Sequence, residues 1–283
     1  MIKHSLVIPF EPKLISSLQN YEVVVKTSNG DKIVDAYRWA HRPGLKLRNI
    51  WFTPGIPVSF VELQENWKSI PIALFTEQLG DLKIFLQKKR IFTTLNIRIF
   101  LSNSIKRNYT DLQILSSLGI HCGIYFDGKS TDWDSMNDLM HYSVYGKAGH
   151  APVEPFHYIV SNYTTGKITN FDAMYFDDPE IFLHLDEEMN IALSSSDLAM
   201  NKFIGKGRDD LENIHENPTF LKKKQDWQQH FLQPNGCASC RSWRVCGGKF
   251  ADCLELNPGC ENFFTEMMNA SDYHNLHNQV KMQ

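Results

Sequence analysis

The sequence predicts an α/β protein: a partial (β/α) barrel-like parallel sheet, preceded by a strand-rich segment and followed by a cysteine-rich metal domain. Three observations carry this expectation. Through the middle of the chain, short apolar runs alternate with amphipathic stretches, the pattern of parallel strands joined by helical crossovers. The first sixty residues are instead rich in β-branched runs and turn residues. All of the six cysteines except Cys122 fall between Cys237 and Cys260. The expected division is 1–65 for the strand-rich segment, 66–180 for the partial barrel and 181–283 for the metal domain.

In the first segment, Tyr21 to Thr27 and Lys32 to Tyr37 flank Asn29-Gly30 and are expected to pair as a hairpin. Leu45 to Phe52 and Val58 to Leu63 read as further strands, separated by the breaker Pro54-Gly55-Ile56-Pro57. A small sheet of this kind offers an edge to which a peptide can add as a strand. In the second segment, strands are expected at Ser69 to Phe75, Asn96 to Ser102, Ile120 to Asp127 and Pro155 to Ser161. Helices are expected at Asp81 to Lys89, Tyr109 to Leu118 and Asp132 to Tyr142. Four such units are too few for an eightfold barrel, hence an open or partial one. Ligands of such sheets sit at the carboxyl ends of the strands. The residues there, Ser102-Asn103-Ser104 and Asp127-Gly128, are ordinary loop-formers. Beyond them, Asp177-Asp178-Pro179-Glu180 and Asp186-Glu187-Glu188 crowd carboxylates as a hard-cation site would. The turn signal in the first run favours a solvated loop.

The third segment carries the strongest signal. Cys237 and Cys240 stand in C-x2-C spacing, which lets two sulfurs on one tight turn grip a single metal. Cys246 follows after five residues, and Gly247-Gly248 let the backbone fold closely around the site. Thiolates are soft ligands that repel one another, so such crowding points to a soft metal or to disulfides. Met1 to Phe10 does not read as a signal peptide, and no window approaches the ~20 apolar residues of a membrane span. A reducing, cytoplasmic compartment is therefore expected, and there clustered cysteines favour metal. A net charge of −3 leaves no electrostatic footprint for nucleic acid. Phosphate loops, Gly-x-Ser-x-Gly elbows and His-Glu-x-x-His pairs do not occur. Cys122, alone in an apolar run, reads as a buried inert thiol. Trp243 is expected to shield the metal from water, with a peptide-binding anchor as its other reading.

Three runs of residues resemble the SPASM domain, the C-terminal iron–sulfur domain of peptide-modifying radical SAM enzymes. They are Asn217-Pro218-Thr219-Phe220, Asn235-Gly236-Cys237-x2-Cys240-x5-Cys246-Gly247-Gly248, and Gly259-Cys260-x2-Phe263-Phe264. Upstream, His184 to Ser194 resembles the hairpin at which that domain begins, where the pattern Asp-x-x-Gly-x-Ile-x-x-Cys is usual. Ile204 to Ile214 resembles the stretch after it. The family often holds two auxiliary clusters. The positions that serve one of them are Ser194 and Phe250 here, neither a fit iron ligand. The resemblance therefore implies one retained [4Fe-4S] cluster on Cys237, Cys240, Cys246 and Cys260, with Cys253 able to replace Cys260.

The C-x3-C-x2-C motif that holds the SAM-cleaving cluster is missing, so no SAM cleavage is expected of this chain. What remains resembles the SPASM maturases paired with ATP-grasp ligases and the pseudo-radical-SAM proteins. The implied role is maturation of a ribosomal peptide (a RiPP), by binding the precursor peptide, a partner ATP-grasp ligase or radical SAM enzyme, or both. Neither nucleic acid nor membrane is expected as a partner. Four thiolates suit Zn2+ as readily as iron, so a zinc-stabilised binding module without redox role stands as the alternative. An enzyme with an unrecognised site in the barrel half is the second.

Overall fold

The computed structural model describes residues 4–127, 131–164, 168–229, 237, 240–247, 250 and 258–281. They form a mixed α/β fold around one ten-stranded, mostly parallel sheet. Strands β1 (Ser5–Pro9), β2 (Glu22–Thr27), β3 (Lys46–Phe52), β4 (Ile72–Thr76), β5 (Ile97–Ser102), β6 (Cys122–Tyr125) and β7 (Val153–Glu154) lie side by side in chain order, each parallel to the last. β8 (Phe182–Leu185) joins the other side of β1, also parallel. β9 (Asn190–Ala192) and β10 (Gly205–Lys206) extend that edge antiparallel.

The crossovers carry α1 (Pro12–Ser17), α2 (Ile33–Ala40), α3 (Leu82–Thr94), α4 (Arg107–Ser117), α5 (Trp133–Tyr145) and α6 (Phe156–Asn162). Only short 3-10 turns join β3 to β4. After the β8–β9 hairpin come α7 (Ser195–Ala199), α8 (Gly207–Glu212), α9 (Pro218–Gln229), α10 (Trp243–Cys246) and α11 (Pro258–Lys281). Among the described residues, no helix is long and apolar enough to cross a membrane.

The strands of the middle segment match their apolar runs because a parallel sheet covered on both faces needs side chains such as those of Ile97 to Leu101 throughout. Asp81 and Asp132 stop α3 and α5 at their starts. The Asp81 carboxylate accepts from the backbone N–H of Lys83 and Ile84, and that of Asp132 from Ser135.

Four expectations need correction. Lys32 to Tyr37 is not the second arm of a hairpin but enters α2, and β2 pairs with β3 in parallel. Buried Ile33, Ala36 and Ala40 recur at helical spacing, and the Asn29 side chain caps a 3-10 turn by accepting from Asp31 N–H. Val58 to Leu63 opens in a 3-10 turn rather than a strand. Pro155 to Ser161 forms most of α6, whose buried Phe156, Ile159 and Val160 lie on one helical face; the strand there is only Val153–Glu154. Lastly, residues 1–65 do not make a sheet of their own. β1, β2 and β3 have neighbours on both sides, and β3 pairs with β4 across residue 65. The first segment therefore has no free edge for a peptide to join.

Because side chains alternate along a strand, Glu22, Val24 and Lys26 share one face with Asn49 and Trp51, Phe75, and Arg98 and Phe100. Aromatic rings cover the middle of that face. Trp51 lies 5.3 Å from Phe75, Phe75 stacks on Phe100 at 4.6 Å, and Phe100 meets Tyr175 at 5.9 Å. β3 and β8 are three places apart, ~14 Å in a flat sheet. Yet Trp51 of β3 and His184 of β8 approach to 6.3 Å between ring centroids, so the sheet curls around this face.

Candidate functional site

The cysteine segment is held to the sheet by aromatic packing. Phe250 lies 4.9 Å from Phe126, 5.1 Å from Trp133 and 5.6 Å from Phe264, ring to ring. Ser242 Oγ lies 3.1 Å from Thr265 Oγ1 and ties the loop before α10 to α11. Gly259, at the start of α11, sits so close to Trp133 that a Cβ there would fall 2.5 Å from Cδ1 of the indole. No larger residue fits without shifting the helix that bears Cys260.

Within this frame Cys240 N–H donates to the carbonyl of Cys237 at 3.2 Å, and Trp243 N–H to that of Cys240 at 3.3 Å. The second of these bonds leads the chain from Cys240 into α10. Cys246 ends that helix, and Gly247 closes it with a left-handed φ of 62°. The structure brings Cys237, Cys240 and Cys260 within electrostatic reach of one another. Burial pushes the Cys260 thiol up to about 11, and the nearby sulfurs of Cys240 and Cys237 add to the shift. Cys237 is raised by burial and then by Cys240. Cys246 is buried and lines a cavity of about 650 Å3 together with Ser194, Phe220 and Asp178.

All the described cysteines are free thiols. Among the described residues, no group of three or more Cys, His, Asp or Glu side chains stands in position to hold a metal ion. Cys253 lies outside the described residues. The donor chemistry nonetheless fits a soft cation. Cys240 raises Cys237, and both raise Cys260, so ionised sulfurs here lack a compensating positive charge, which a bound metal would supply. Trp243 is 1% exposed, which suits a shield and removes it from the surface as a peptide anchor.

The two positions where the resemblance places ligands of a second cluster do structural work instead. Ser194 caps α7, its Oγ accepting from Asp197 N–H at 3.0 Å, and Phe250 fills the aromatic junction. In the hairpin, Asp186 Oδ1 accepts from the N–H groups of Glu188 and Asn190, both at 2.9 Å. Met189 takes a φ of 61° at the position where the pattern has Gly.

Cys122 is buried, and its Sγ donates to the carbonyl of Leu112 at 3.5 Å. Burial pushes its thiol far above the usual range, so it stays protonated and unreactive. Cys122→Ala is expected to cost only about 1 kcal/mol and to leave metal content unchanged, as chemical denaturation and elemental analysis will read.

A second concentration of chemistry lies at the carboxyl ends of the strands. A cleft of about 500 Å3 is walled by Trp51, Phe75, Tyr125 and Tyr175, with Glu77 and Asp177 on its rim. Asp177 and its neighbours are not the solvated loop expected from their sequence. Asp177 Oδ1 stands 3.2 Å from His184 Nε2 and accepts from Ser195 N–H at 2.8 Å. His184 Nε2 is also 3.0 Å from the carbonyl of Phe176, so two acceptors face one ring nitrogen and that nitrogen carries the proton. Lys26 Nζ sits 4.7 Å from the centroid of Trp51. Burial lowers its pKa, and the charge of Asp177 offsets part of that shift.

Sequence reading missed Lys26, Asp177 and His184 as a group because they come from three distant segments and form no motif. The loop-formers singled out at the strand ends lock the rim: Ser102 Oγ donates to Asp127 at 2.8 Å, Asn103 Nδ2 to Thr131 Oγ1 at 3.0 Å, and Asp127 N–H to Asn103 Oδ1 at 3.1 Å, while Gly128 lies outside the described residues.

Asp178 is 6% exposed, and its carboxyl is pushed up to about 6, chiefly by burial. Its proton is thus held more tightly in the folded chain than in the unfolded one. As pH rises from about 3.8 to about 6 the unfolded chain ionises first, and stability falls through that window. Asp178→Asn is expected to remove this decline, gaining on the wild type across the window when urea midpoints are compared.

No family model matches the sequence, and no curated protein matches it.

Proposed function

We propose that this chain is a maturation factor for a ribosomal precursor peptide, a SPASM-like protein that has lost its radical SAM site. Its sheet serves as the partial (β/α) barrel of that architecture. Cys237, Cys240, Cys246 and Cys260 hold one [4Fe-4S] cluster, with Cys253 as the other choice of fourth ligand. Such a cluster, bound through four thiolates, supplies structure or electron transfer and leaves no iron open to substrate. What supports the reading is that Cys260, far in sequence from the C-x2-C pair, is raised by the nearby sulfurs of Cys240 and Cys237; the described residues as they stand hold no three-ligand group, so the site closes only when the cluster binds. The hairpin with Asp186 and Met189, and the occupation of Ser194 and Phe250 by structural roles, support it further.

The cleft at the strand ends gives the precursor peptide a place. Its aromatic walls accept apolar side chains, while Lys26 and Asp177 present charge beside them. The partner enzyme, an ATP-grasp ligase or a radical enzyme, then performs the chemistry. Anaerobic purification followed by iron, sulfide and zinc analysis tests the cofactor. Brown protein with about four irons per chain supports the proposal, whereas colourless protein with one zinc assigns the chain to a zinc-stabilised binding module.

A further inference from the structure

At the opposite, amino-terminal mouth of the sheet lies a cavity of about 660 Å3, lined among others by Arg48, Asn49, Arg98, His121, Glu154 and His157. It is separated from the carboxyl-end cleft by the aromatic layer of Trp51, Phe75 and Phe100. Its polarity is unusual for a sheet interior, where such groups are costly unless they meet a partner.

The charges are only partly matched. Arg48 pairs with Glu22 at 3.1 Å through Nη1, and Glu22 is also held by Lys46 at 2.7 Å. The guanidinium of Arg48 lies over the ring of Phe182 at 4.7 Å. It reaches this face because β3 bulges opposite Val23 and Val24, leaving Arg48 without a partner in the β2 register. Arg98, on β5, is attracted by Glu154 and repelled by Arg48, yet forms no ion pair or side-chain hydrogen bond among the described residues. Glu154 Oε2 accepts from Tyr158 N–H at 2.9 Å, and His157 Nδ1 stands 3.8 Å from Oε1. Counting Lys46, Arg48 and Arg98 against Glu22 and Glu154, and leaving the histidines out of the count, the mouth carries one surplus positive charge.

A second observation is independent of charge. Asn49 is 4% exposed, lines the cavity, and its Oδ1 has no hydrogen-bond partner. A buried amide oxygen is ordinarily satisfied, so this one points to a donor that the chain itself does not provide.

We infer that this mouth is a binding site for a small carboxylate with a hydrogen-bond donor on the adjacent carbon, the chemistry of a free α-amino or α-hydroxy acid. The open fork of Arg98 matches a carboxylate in two parallel hydrogen bonds, and Arg48 adds positive charge beside it. The adjacent amino or hydroxyl group donates to Asn49 Oδ1, and an ammonium group gains further from Glu154. Inorganic phosphate can donate a P–OH to Asn49, but its larger negative charge meets the Glu154 carboxylate unfavourably. The site depends neither on the metal nor on the peptide-maturation reading.

Calorimetric titration of the full chain with L-alanine, L-lactate, propionate and inorganic phosphate tests it. Saturable binding of alanine and lactate is expected, with propionate, which lacks the donor, weaker by about tenfold or more. Arg98→Met is expected to weaken alanine and lactate on the order of 10- to 100-fold. Arg98→Lys, which retains the charge, is expected to fall between and serves if the Met variant does not fold. Glu154→Gln is expected to weaken alanine more than lactate. Binding of phosphate alone, equal binding of propionate and lactate, no saturable binding of any of the four, or indifference to the Arg98 substitutions overturns the assignment.

Discussion

Cys240→Ala is expected to release the metal, unfold the chain beyond about residue 230 and abolish partner binding. A structural metal held by four thiolates contributes on the order of 10 kcal/mol to the folding of its domain, comparable to the whole stability of a typical domain, ~5–15 kcal/mol. Cys240 is tied through its backbone to both Cys237 and Trp243. Its N–H and carbonyl fix the turn from Cys237 to Trp243, and its sulfur is one of the two that raise Cys260. Without it the C-x2-C pair is broken, and the spare thiol of Cys253, thirteen residues further on, does not restore that spacing. Metal-to-protein ratio, limited proteolysis and a pull-down with the partner read the three consequences. A well-folded, metal-free variant that still binds its partner would contradict the proposed function.

Phe264→Ala is expected to lower stability by about 3–5 kcal/mol in chemical denaturation. Phe264 is 1% exposed and lies where the sheet half and the cysteine segment meet. Its ring is 6.0 Å from Phe171, 6.2 Å from Trp133, 5.6 Å from Phe250 and 4.9 Å from Phe263. Removing it leaves a cavity bounded by rings anchored on separate elements, which cannot all collapse inward together. Unlike Cys240→Ala, this variant keeps every thiol. Metal is therefore expected to stay bound while α11 loosens from α5, and amide exchange in α11 separates the two cases. Metal loss equal to that of Cys240→Ala would show that the aromatic junction, rather than sulfur ligation, governs the site.

The strands that are apolar on both faces were legible, because nothing but a covered sheet explains runs such as Val23-Val24-Val25 or Ile97 to Leu101. The hairpin from Phe182 to Ala192 was legible only through the resemblance of His184 to Ser194 to a known hairpin, not through a local turn signal. Ile33 to Ala40 was not, since an Asn-Gly pair is a strong turn signal and its helical spacing of Ile33, Ala36 and Ala40 is carried partly by alanines. Nor could the joining of β1 to β3 onto the main sheet be read, as pairing partners leave no local mark. In the site, the cysteines announced themselves by crowding. Lys26, Asp177 and His184 did not, because the curl of the sheet alone brings them together. Asp178 was hidden for the opposite reason: beside Pro179 it resembles a wet turn, and only the fold buries it.

The ring layer of Trp51, Phe75, Phe100 and Tyr175 makes the protein a vessel with two compartments and a solid floor between them. The cleft and the mouth share no lining residue, so guests of the two proposed sites would not compete for the same side chains. Substitutions that disable one chamber should leave occupancy of the other intact, and each can be assayed as the internal control of its neighbour.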